Sequence, residues 1–433
     1  MWGWTPAARC RLVPNANGQG GGGLAEAATG GDANASVMRH RPFRLFWFSR
    51  SLATLSFQAL AVAVAWQVYS LSGRAIDLGY VGLAQFLPMF LLTLPAGQLA
   101  DRFDRRRIIT CCQSLAALGA LLLALGNLFG TLGRLEIYGV IALIGAARAV
   151  EAPTLAALLP GLVPRVLVPR ASAWSASANQ TAQICGPALG GLLLGFGGEV
   201  VFTLATLGLL AAATCAALIP PGPRVVREPV SLASVLSGIG FVRRHAIVLG
   251  SISLDLFATL LGATVALLPI FARDILGTGP WGLGLLRAAP AVGALAMSLV
   301  LANRPLRPPV GRTLFIALFT FGLATCVFAL SRSLVLSVLA LALVGAADVV
   351  SVVIRFSLVQ LNTPDEMRGR VSAVNSLFVG TSNQLGEFRA GLAAALFGAV
   401  PAALLGGLAT VAIAALWMRL FPTLRRLDRL ENQ

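Results

Sequence analysis

The sequence predicts an all-α integral membrane protein, with twelve transmembrane helices in two six-helix halves related by a parallel repeat. The first observation is composition. Of the 433 residues, 57% are hydrophobic and 12% are charged, whereas soluble proteins carry about 25% charged residues. The second is that apolar stretches of about twenty residues, long enough to cross a bilayer core, recur along the chain. The third is an internal match between the two halves.

Apolar length places the twelve spans. In the first half we predict spans at 45–70, 78–99, 108–130, 137–160, 172–197 and 200–219. In the second half we predict spans at 246–271, 282–302, 313–331, 333–360, 371–398 and 400–421.

The segments between and beside the spans give the domain organisation. The first 37 residues are rich in Gly and Ala and contain no apolar run of the signal-peptide type, so we expect a disordered tail. Met38 is a candidate for the true start. The predicted units are the tail at 1–37, an N-terminal half at 38–219, a cytoplasmic linker with an amphipathic helix at 220–245, a C-terminal half at 246–421 and a cytoplasmic tail at 422–433.

The internal match is specific enough to indicate a repeat. "ALIGAARAVEAPTLAALLPGLVP" from Ala142 aligns without a gap with "ALVGAADVVSVVIRFSLVQLNTP" from Ala342, and the same register pairs Gly191 with Gly391. Chance similarity between Ala/Leu-rich helices is the alternative, but a polar register held over two spans and their loop argues against it. Two six-span halves in parallel repeat are typical of secondary transporters, whose site lies between the halves near the membrane midplane.

The basic charge predicts orientation rather than a nucleic-acid partner. The net charge is +16, and arginine supplies all of the Lys+Arg total. Strongly basic proteins often bind nucleic acid, but these arginines lie in short connectors between apolar segments. The positive-inside rule assigns arginine-rich connectors to the cytoplasm. We therefore expect a multi-pass protein of the cytoplasmic (inner) membrane, with both termini cytoplasmic and the lipid bilayer as its surroundings.

The sequence predicts no metal, cofactor or catalytic residue. Its six cysteines form no CxxC pair, and its two histidines, His40 and His245, are too few for a histidine-based metal site. It also lacks the GxxxxGK[ST] loop that holds nucleotide phosphates. ATP is therefore not the expected direct energy source.

A charged motif between spans two and three resembles the signature of the major facilitator superfamily. It departs from the family by an aspartate directly before its last two arginines, and it consists of Gly97, Asp101, Arg102, Arg105 and Arg106. The resemblance implies a cytoplasmic gate in which Asp101 docks near the start of span eleven, where a helix dipole favours a carboxylate by about 0.3–1 kcal/mol. A plain topogenic loop is the alternative interpretation.

Three further motifs extend the resemblance over residues 38–421 and indicate a branch. "RAVEA" at 148–152 resembles the span-four arginine motif. "PDEMRGRVSAVNSLFVGTSNQLGEFRAG" at 364–391 is similar to the branch of enterobactin exporters and related secretion effectors. The sequence "GPALGG" resembles the span-five motif associated with exporters, in which proline kinks the helix and glycines allow close packing; it comprises Gly186, Pro187, Gly190 and Gly191.

Charged residues within spans are candidates for the transport mechanism, because each costs at least about 2.5–3.5 kcal/mol on insertion scales. Three of them lie near span ends, where a long side chain can reach the interface: Arg50, Arg287 and Arg355. The others are Arg148, Glu151, Asp255, Asp348, Glu387 and Arg389.

Asp255 is the leading candidate for a proton carrier. It has no basic residue within a helical turn, and a lone carboxylate in a low-dielectric site favours its protonated form. Glu151, Asp348 and Glu387 are the next candidates. Arg148 is spaced to pair with Glu151 at i,i+3, and Asp348 occupies the repeat position of Arg148. A carboxylate held by hydrogen bonds from neighbouring spans is the structural alternative.

Polar residues in four spans are candidates to line a cavity, with interhelical hydrogen bonding as the alternative role. They are Gln58, Gln67, Gln85, Asn179, Gln183 and Asn383.

Taken together, these features predict a proton-coupled secondary exporter of an amphipathic small molecule, such as a siderophore or a drug, and no enzymatic activity. Uptake or lipid flipping by the same fold are alternatives. A polytopic membrane enzyme or a non-transporting sensor are alternatives from other classes. The enzyme would need catalytic groups clustered at one membrane face, whereas the cytoplasmic loops are short and rich in arginine.

Overall fold

The computed structural model describes residues 37–221, 232–304 and 309–427, and within these ranges the chain is helical and contains no β-strand. The first half forms α1 (Arg41–Ser72), α2 (Ala75–Arg102), α3 (Arg105–Leu128), α4 (Arg134–Leu158), α5 (Val168–Leu194) and α6 (Gly198–Ala217). The second half forms α7 (Ala246–Gly262), α8 (Gly279–Asn303), α9 (Val310–Leu330), α10 (Leu334–Leu361), α11 (Asp365–Phe397) and α12 (Ala399–Leu420). The predicted all-α membrane fold is confirmed.

Ten of the described helices are long and apolar enough to cross a membrane. The two other long helices, α5 and α11, occupy predicted spans five and eleven and are repeat-equivalent. Polar residues interrupt both, including Asn179 and Gln183 in α5 and Asn375 and Asn383 in α11. Each packs against the opposite half, α5 on α8 and α11 on α2. Their polarity is therefore explained by a position between the halves rather than against lipid alone.

The seventh predicted span, 246–271, is interrupted, which corrects the prediction of one continuous helix. α7 ends at Gly262, and short helical turns continue the crossing to Ile275. The last of these turns is a π-helix at Phe271–Ile275.

The break in α7 has a hydrogen-bond partner from another helix. Arg389 of α11 donates from Nε to the Leu260 carbonyl oxygen at 2.8 Å and from Nη2 to the Ala263 carbonyl oxygen at 3.2 Å. Carbonyl groups at a helix end lack intrahelical donors, so the guanidinium satisfies acceptors that the break leaves. Because that donor comes from α11, the apolar pattern of the segment itself does not reveal the break.

The two halves approach each other closely at equivalent glycines. A Cβ atom at Gly191 of α5 would lie 2.6 Å from the Cα atom of Gly284 in α8. A Cβ atom at Gly391 of α11 would lie 2.7 Å from the Cα atom of Gly79 in α2. No side chain fits at such distances, so glycine is required for these helix crossings. Gly191 and Gly391 are aligned in the internal sequence match, and each makes an equivalent close contact with the opposite half. This equivalence agrees with a parallel repeat.

Apolar packing between the halves closes one end of the molecule. A single buried cluster there includes Leu60 of α1, Phe271, Leu283 of α8 and Ala390 of α11. At the opposite end, the buried clusters of the described residues each belong to one half, as around Phe43 in the first half. We call the end that contains the α1–α2 and α11–α12 connections the closed end.

Some predicted segments fall outside the described residues, namely the N-terminal tail up to residue 36, the linker at 222–231 and the C-terminal tail from residue 428. The rest of the linker includes a helix at Leu232–Arg244, which we call the linker helix. It packs against the start of α11, where a Cβ atom at Gly238 would lie 3.0 Å from the Arg370 carbonyl oxygen.

Candidate functional site

The charged motif between α2 and α3 is described only in part. Gly97, Asp101 and Arg102 belong to the end of α2, and their side chains lie outside the described residues. Arg105 donates from Nη1 to the Ala157 carbonyl oxygen at 3.1 Å, and Arg106 donates from Nη1 to the Ile219 carbonyl oxygen at 2.7 Å. These two arginines tie α3 to the ends of α4 and α6. The gate role of Asp101 stays a prediction.

Asp104, the residue that departs from the family signature, is the N-cap of α3. Its side chain accepts a hydrogen bond from the Arg106 backbone N at 3.0 Å and forms an ion pair with the Arg106 guanidinium at 2.5 Å. The hydrogen bond from that guanidinium holds the pKa of the Asp104 carboxyl below its usual range. Aspartate is a favoured N-cap, which explains why it fits where the family usually has glycine.

The exporter-type motif in α5 lies against two helices. A Cβ atom at Gly186 would lie 2.4 Å from the Gln58 Cβ atom, and one at Gly190 would lie 2.8 Å from the Ala59 Cα atom, both in α1. Pro187 is buried within α5, and Gly191 meets α8 as described above. The motif therefore supplies close packing on α1 and α8, and Gln58 packs against it instead of lining either cavity described below.

A first polar cluster lies inside the first half. The Gln113 side chain donates from Nε2 to Glu151 Oε1 at 2.8 Å and lies 3.1 Å from Ser49 Oγ. Arg50 donates from Nη1 to Ser175 Oγ at 3.0 Å. Glu151 is 5% exposed, so the hydrogen bond from Gln113 satisfies a carboxylate that little water reaches.

The predicted pair of Arg148 with Glu151 does not form. No ion pair among the described residues joins them, although both lie on α4. The Arg148 guanidinium instead stacks over the Phe57 ring of α1, with 4.5 Å between its Cζ atom and the ring centroid. Spacing on one helix allows a pair, but Gln113 of α3 already binds Glu151 and the aromatic face attracts the cation.

A second polar cluster lies inside the second half and corrects the prediction that Asp255 is isolated. Arg355 of α10 donates from Nη1 to Asp255 Oδ1 of α7, and its Nη2 atom lies 3.9 Å from Asp348 Oδ1. The Arg355 side chain is 7% exposed, so it is not a residue that reaches the membrane surface. Asp348 pairs with Arg355 of its own helix rather than across the two halves.

The second-half cluster borders a cavity of about 480 Å³. Asp255, Asp348 and Arg355 share its wall with the polar residues Asn375 and Asn383 of α11. The Asp348 side chain is 52% exposed, so water in the cavity can reach this carboxylate directly. With two carboxylates and one guanidinium, the cluster carries one excess negative charge when all three groups are ionised.

A smaller cavity of about 90 Å³, which we call the central cavity, lies between the halves. Its charged residues are Arg148 of α4, Arg287 of α8 and Glu387 of α11, and Gln85 of α2 also lines it. Arg287 donates from Nη1 to the Ala61 carbonyl oxygen of α1 at 3.1 Å, so it joins the two halves. Asn383 and Glu387, four residues apart, therefore face different cavities.

The remaining cavity candidates are not brought into either cavity. Gln67 lies near the start of α6, where a Cβ atom at Gly198 would be 3.4 Å from its Oε1 atom. Asn179 and Gln183 are partly exposed on α5. Of the six predicted lining residues, Gln85 and Asn383 thus line the two cavities with the charged groups.

The structure contains a polar contact at the closed end that the sequence analysis did not predict. The Tyr69 hydroxyl of α1 donates to Asp274 Oδ2 in the turns that follow α7. Arg273 lies over the Tyr69 ring, with 5.5 Å from Cζ to the centroid, and donates to the Tyr69 carbonyl oxygen at 3.4 Å. In the sequence, the adjacent charges Arg273 and Asp274 in an otherwise arginine-poor connector could have indicated this site. Their partner, Tyr69, lies in the other half and could not be inferred from local spacing.

Comparison with known proteins agrees with this fold. The family model described as transmembrane secretion effector matches residues 33–433. The chain is 27% identical over 407 residues to enterobactin exporter EntS of Citrobacter koseri, covering 91% of this chain and 95% of the relative. It is 28% identical over 404 residues to EntS of Escherichia coli O1:K1, with the same coverage.

Solved transporter structures share the fold. A bacterial homologue of the human lysosomal transporter Spinster, in an inward-facing and occupied conformation, superposes with a TM-score of 0.69 at 14% identity, covering 91% of this chain and 98% of that one. The nucleoside transporter NupG superposes with a TM-score of 0.65 at 14% identity, covering 88% and 99%. Because the family model spans nearly the whole chain and the fold agrees, this protein belongs to the transmembrane secretion effector family, whose members are multi-pass secondary transporters of the major facilitator superfamily.

Proposed function

We propose that this chain exports an amphipathic, siderophore-like molecule across the cytoplasmic membrane in exchange for protons. The observation that carries the proposal is a charged central cavity between two halves that are closed at one end. In two-half transporters, cargo binds between the halves and reaches alternate sides as one half moves against the other. The matched relatives that are named enterobactin exporters indicate the class of cargo.

The distribution of arginine supports an orientation in which the described conformation can receive cargo from the cytoplasm. The connectors at the closed end contain only Arg74, Arg134, Arg273 and Arg332, whereas those at the opposite end are rich in arginine. By the positive-inside rule we infer that the closed end lies outside and that both termini lie in the cytoplasm. In this orientation the described conformation is closed to the outside, as a state that receives cargo from the cytoplasm requires.

The second-half cluster is the proposed site of proton coupling. Its one excess negative charge can be balanced by one proton, and protonation of Asp255 would release Arg355 from its ion pair. Asp348 faces the cavity and can exchange that proton with water. Glu151 is held by Gln113 away from either cavity, and Arg148 and Glu387 lie in the central cavity, which favours roles other than proton transfer for these three.

The proposal is tested by measuring enterobactin in spent medium from iron-starved producer cells that lack their own exporters. We expect enterobactin outside the cells with this chain and background levels with the empty vector. An exposed carboxylate at the start of α4, Glu136, provides the control variant Glu136→Gln, which should export normally. Equal levels with and without the chain would contradict siderophore export. An enzyme or a non-transporting sensor would likewise change no flux.

Proton coupling is tested separately with the variant Asp255→Asn in proteoliposomes. We expect this variant to exchange enterobactin at equilibrium but to lose transport driven by a pH gradient, because an asparagine amide neither binds nor releases a proton near neutral pH. Protein amount in the membrane must match that of the unmodified chain. Gradient-driven transport by Asp255→Asn at the normal rate would remove Asp255 from the coupling mechanism.

A further inference from the structure

We propose that the central cavity binds an anionic group of the cargo between Arg148 and Arg287, so that the exported molecule is an amphipathic anion. This inference rests on the proposed export function and adds the chemistry of the group that is recognised.

The charges around the central cavity form no contact ion pair with each other, although Glu387 attracts Arg287 electrostatically. Among the described residues, no ion pair joins Glu387 to Arg148 or to Arg287. Two guanidinium groups and one carboxylate leave one excess positive charge when all are ionised. A bound anion would balance this excess charge at the wall of the central cavity.

Both arginines have donors available for a ligand. A guanidinium carries five N–H donors in one plane. Arg148 stacks on Phe57 through its face, and no hydrogen bond from Arg148 to another described residue accompanies this contact. Arg287 uses one donor on the Ala61 carbonyl oxygen. Planar donors that are held in place in this way suit carboxylate, phenolate or phosphate oxygens.

The position of the two arginines makes the ligand a bridge between the halves. Arg148 belongs to the first half and Arg287 to the second, and Arg148 is exposed although it lies within α4. An anion bound to both would therefore hold the halves together at the cavity. Differential binding of this kind is what allows a ligand to shift a conformational equilibrium.

The size and lining of the cavity define the rest of the ligand. Its volume of about 90 Å³ exceeds the roughly 10–15 Å³ needed for one water, which is room for a small polar group rather than for a whole siderophore. Apart from the charged residues and Gln85, the wall is apolar, with Leu60, Val64, Leu78 and Ile144 among its residues. The group that binds there should thus be an acidic group carried on an apolar body.

The test compares two ligands of the same shape, benzoate and its neutral amide, benzamide. Each is titrated at pH 7.5 into the full-length protein in detergent. We expect benzoate to bind at least about tenfold more tightly than benzamide, since hydrogen bonds to charged groups are stronger than neutral ones. Arg148→Gln and Arg287→Gln should each weaken benzoate binding about tenfold or more and leave benzamide binding unchanged.

The variant Glu387→Gln gives the most specific readout. Removing this carboxylate takes away repulsion, so benzoate should bind several-fold more tightly, a gain that a purely structural role for Glu387 would not produce. The exposed arginine in the connector before α10 provides the control Arg332→Gln, which should bind benzoate normally. Thermal unfolding of each variant verifies that it is folded, and Glu387→Gln keeps the test intact if an arginine variant fails to fold.

The outcomes separate this inference from the export proposal. Equal binding of benzoate and benzamide, or benzoate binding that is unaffected in both arginine variants, would overturn the anion site even if the cells export enterobactin. Anion-selective binding that depends on both arginines would support the site even if enterobactin is not exported, and only the proposed cargo would then be wrong.

Discussion

At the scale of single residues, Arg355 determines the electrostatics of the second half. It forms an ion pair with Asp255 and lies close to Asp348, so two carboxylates share one guanidinium. Its side chain is 7% exposed and that of Asp255 is 18% exposed. Asp255 has no other partner among the described ion pairs, so removing Arg355 leaves a carboxylate that is mostly shielded from water.

We therefore expect Arg355→Gln to lower the free energy of unfolding by about 2–3 kcal/mol, somewhat less than the 3–5 kcal/mol typical of fully buried pairs because the cavity admits water. Adding Asp255→Asn should restore much of this loss, since the uncompensated charge is gone. Denaturant unfolding in detergent, followed by tryptophan fluorescence, measures both values, and Arg332→Gln is the exposed control. A double variant as unstable as the single one would mean that packing, not charge, sets the loss.

The same residue shows the limit of prediction from sequence. Charged residues within spans were identifiable because each of them stands out in an apolar segment. Most of the predicted charged residues lie in the first polar cluster, the second polar cluster or the central cavity. The partners were not identifiable. Asp255 and Arg355 are separated by 100 positions, and local spacing carries no information about such a contact. The predictions of an isolated Asp255 and of an Arg148–Glu151 pair were both wrong because the actual partners lie on other helices.

At the scale of helices, the number and type of elements followed from apolar length, and the exceptions have tertiary causes. The predicted spans correspond to the observed helices because bilayer thickness sets their length. At the break after α7, backbone carbonyl groups accept hydrogen bonds from Arg389 of α11. The polar helices α5 and α11 are the ones that join the halves, and both do so through glycines where backbones meet.

The crossing of α5 and α8 gives a prediction at this scale. Gly191→Val places a side chain where a Cβ atom alone would be 2.6 Å from the Gly284 Cα atom, and overpacking of this kind costs about 1–3 kcal/mol. We expect the closed end to open. Spin labels at two exposed positions near that end, Phe196 and Trp281, in a cysteine-free background should report longer distances by double electron–electron resonance.

The matched control for this prediction is Gly139→Val. Gly139 lies in α4, and a Cβ atom there would have no heavy atom within 4 Å, so the added side chain meets open space. It should leave the distance distribution between the two labels unchanged. If Gly191→Val also leaves that distribution unchanged, α5 and α8 can separate without opening the closed end, and the glycine pair would not determine the conformation.

At the scale of the whole molecule, the polar sites are arranged around the boundary between the two halves. The first- and second-half clusters are internal to each half, the central cavity lies between the halves, and the Tyr69–Asp274 contact joins the halves at the closed end. A proton bound in one half can influence cargo between the halves only through the relative position of the halves. The contacts that hold the closed end are therefore part of the proposed coupling, and the hydrogen bond between Tyr69 and Asp274 is one of the polar contacts there.

Tyr69→Phe and Asp274→Asn should each raise the population that is open at this end by about tenfold, because hydrogen bonds to charged groups contribute about 1.5–3 kcal/mol. The double variant should be no more open than either single variant, since all three remove one contact. The labelled pair at Phe196 and Trp281 measures the population, with Tyr80→Phe as control because the Tyr80 ring contacts its neighbours at this end. Additive opening in the double variant would show that Tyr69 and Asp274 act through separate contacts. No opening in any of the three variants would mean that the closed end depends on apolar packing and the glycine crossings instead.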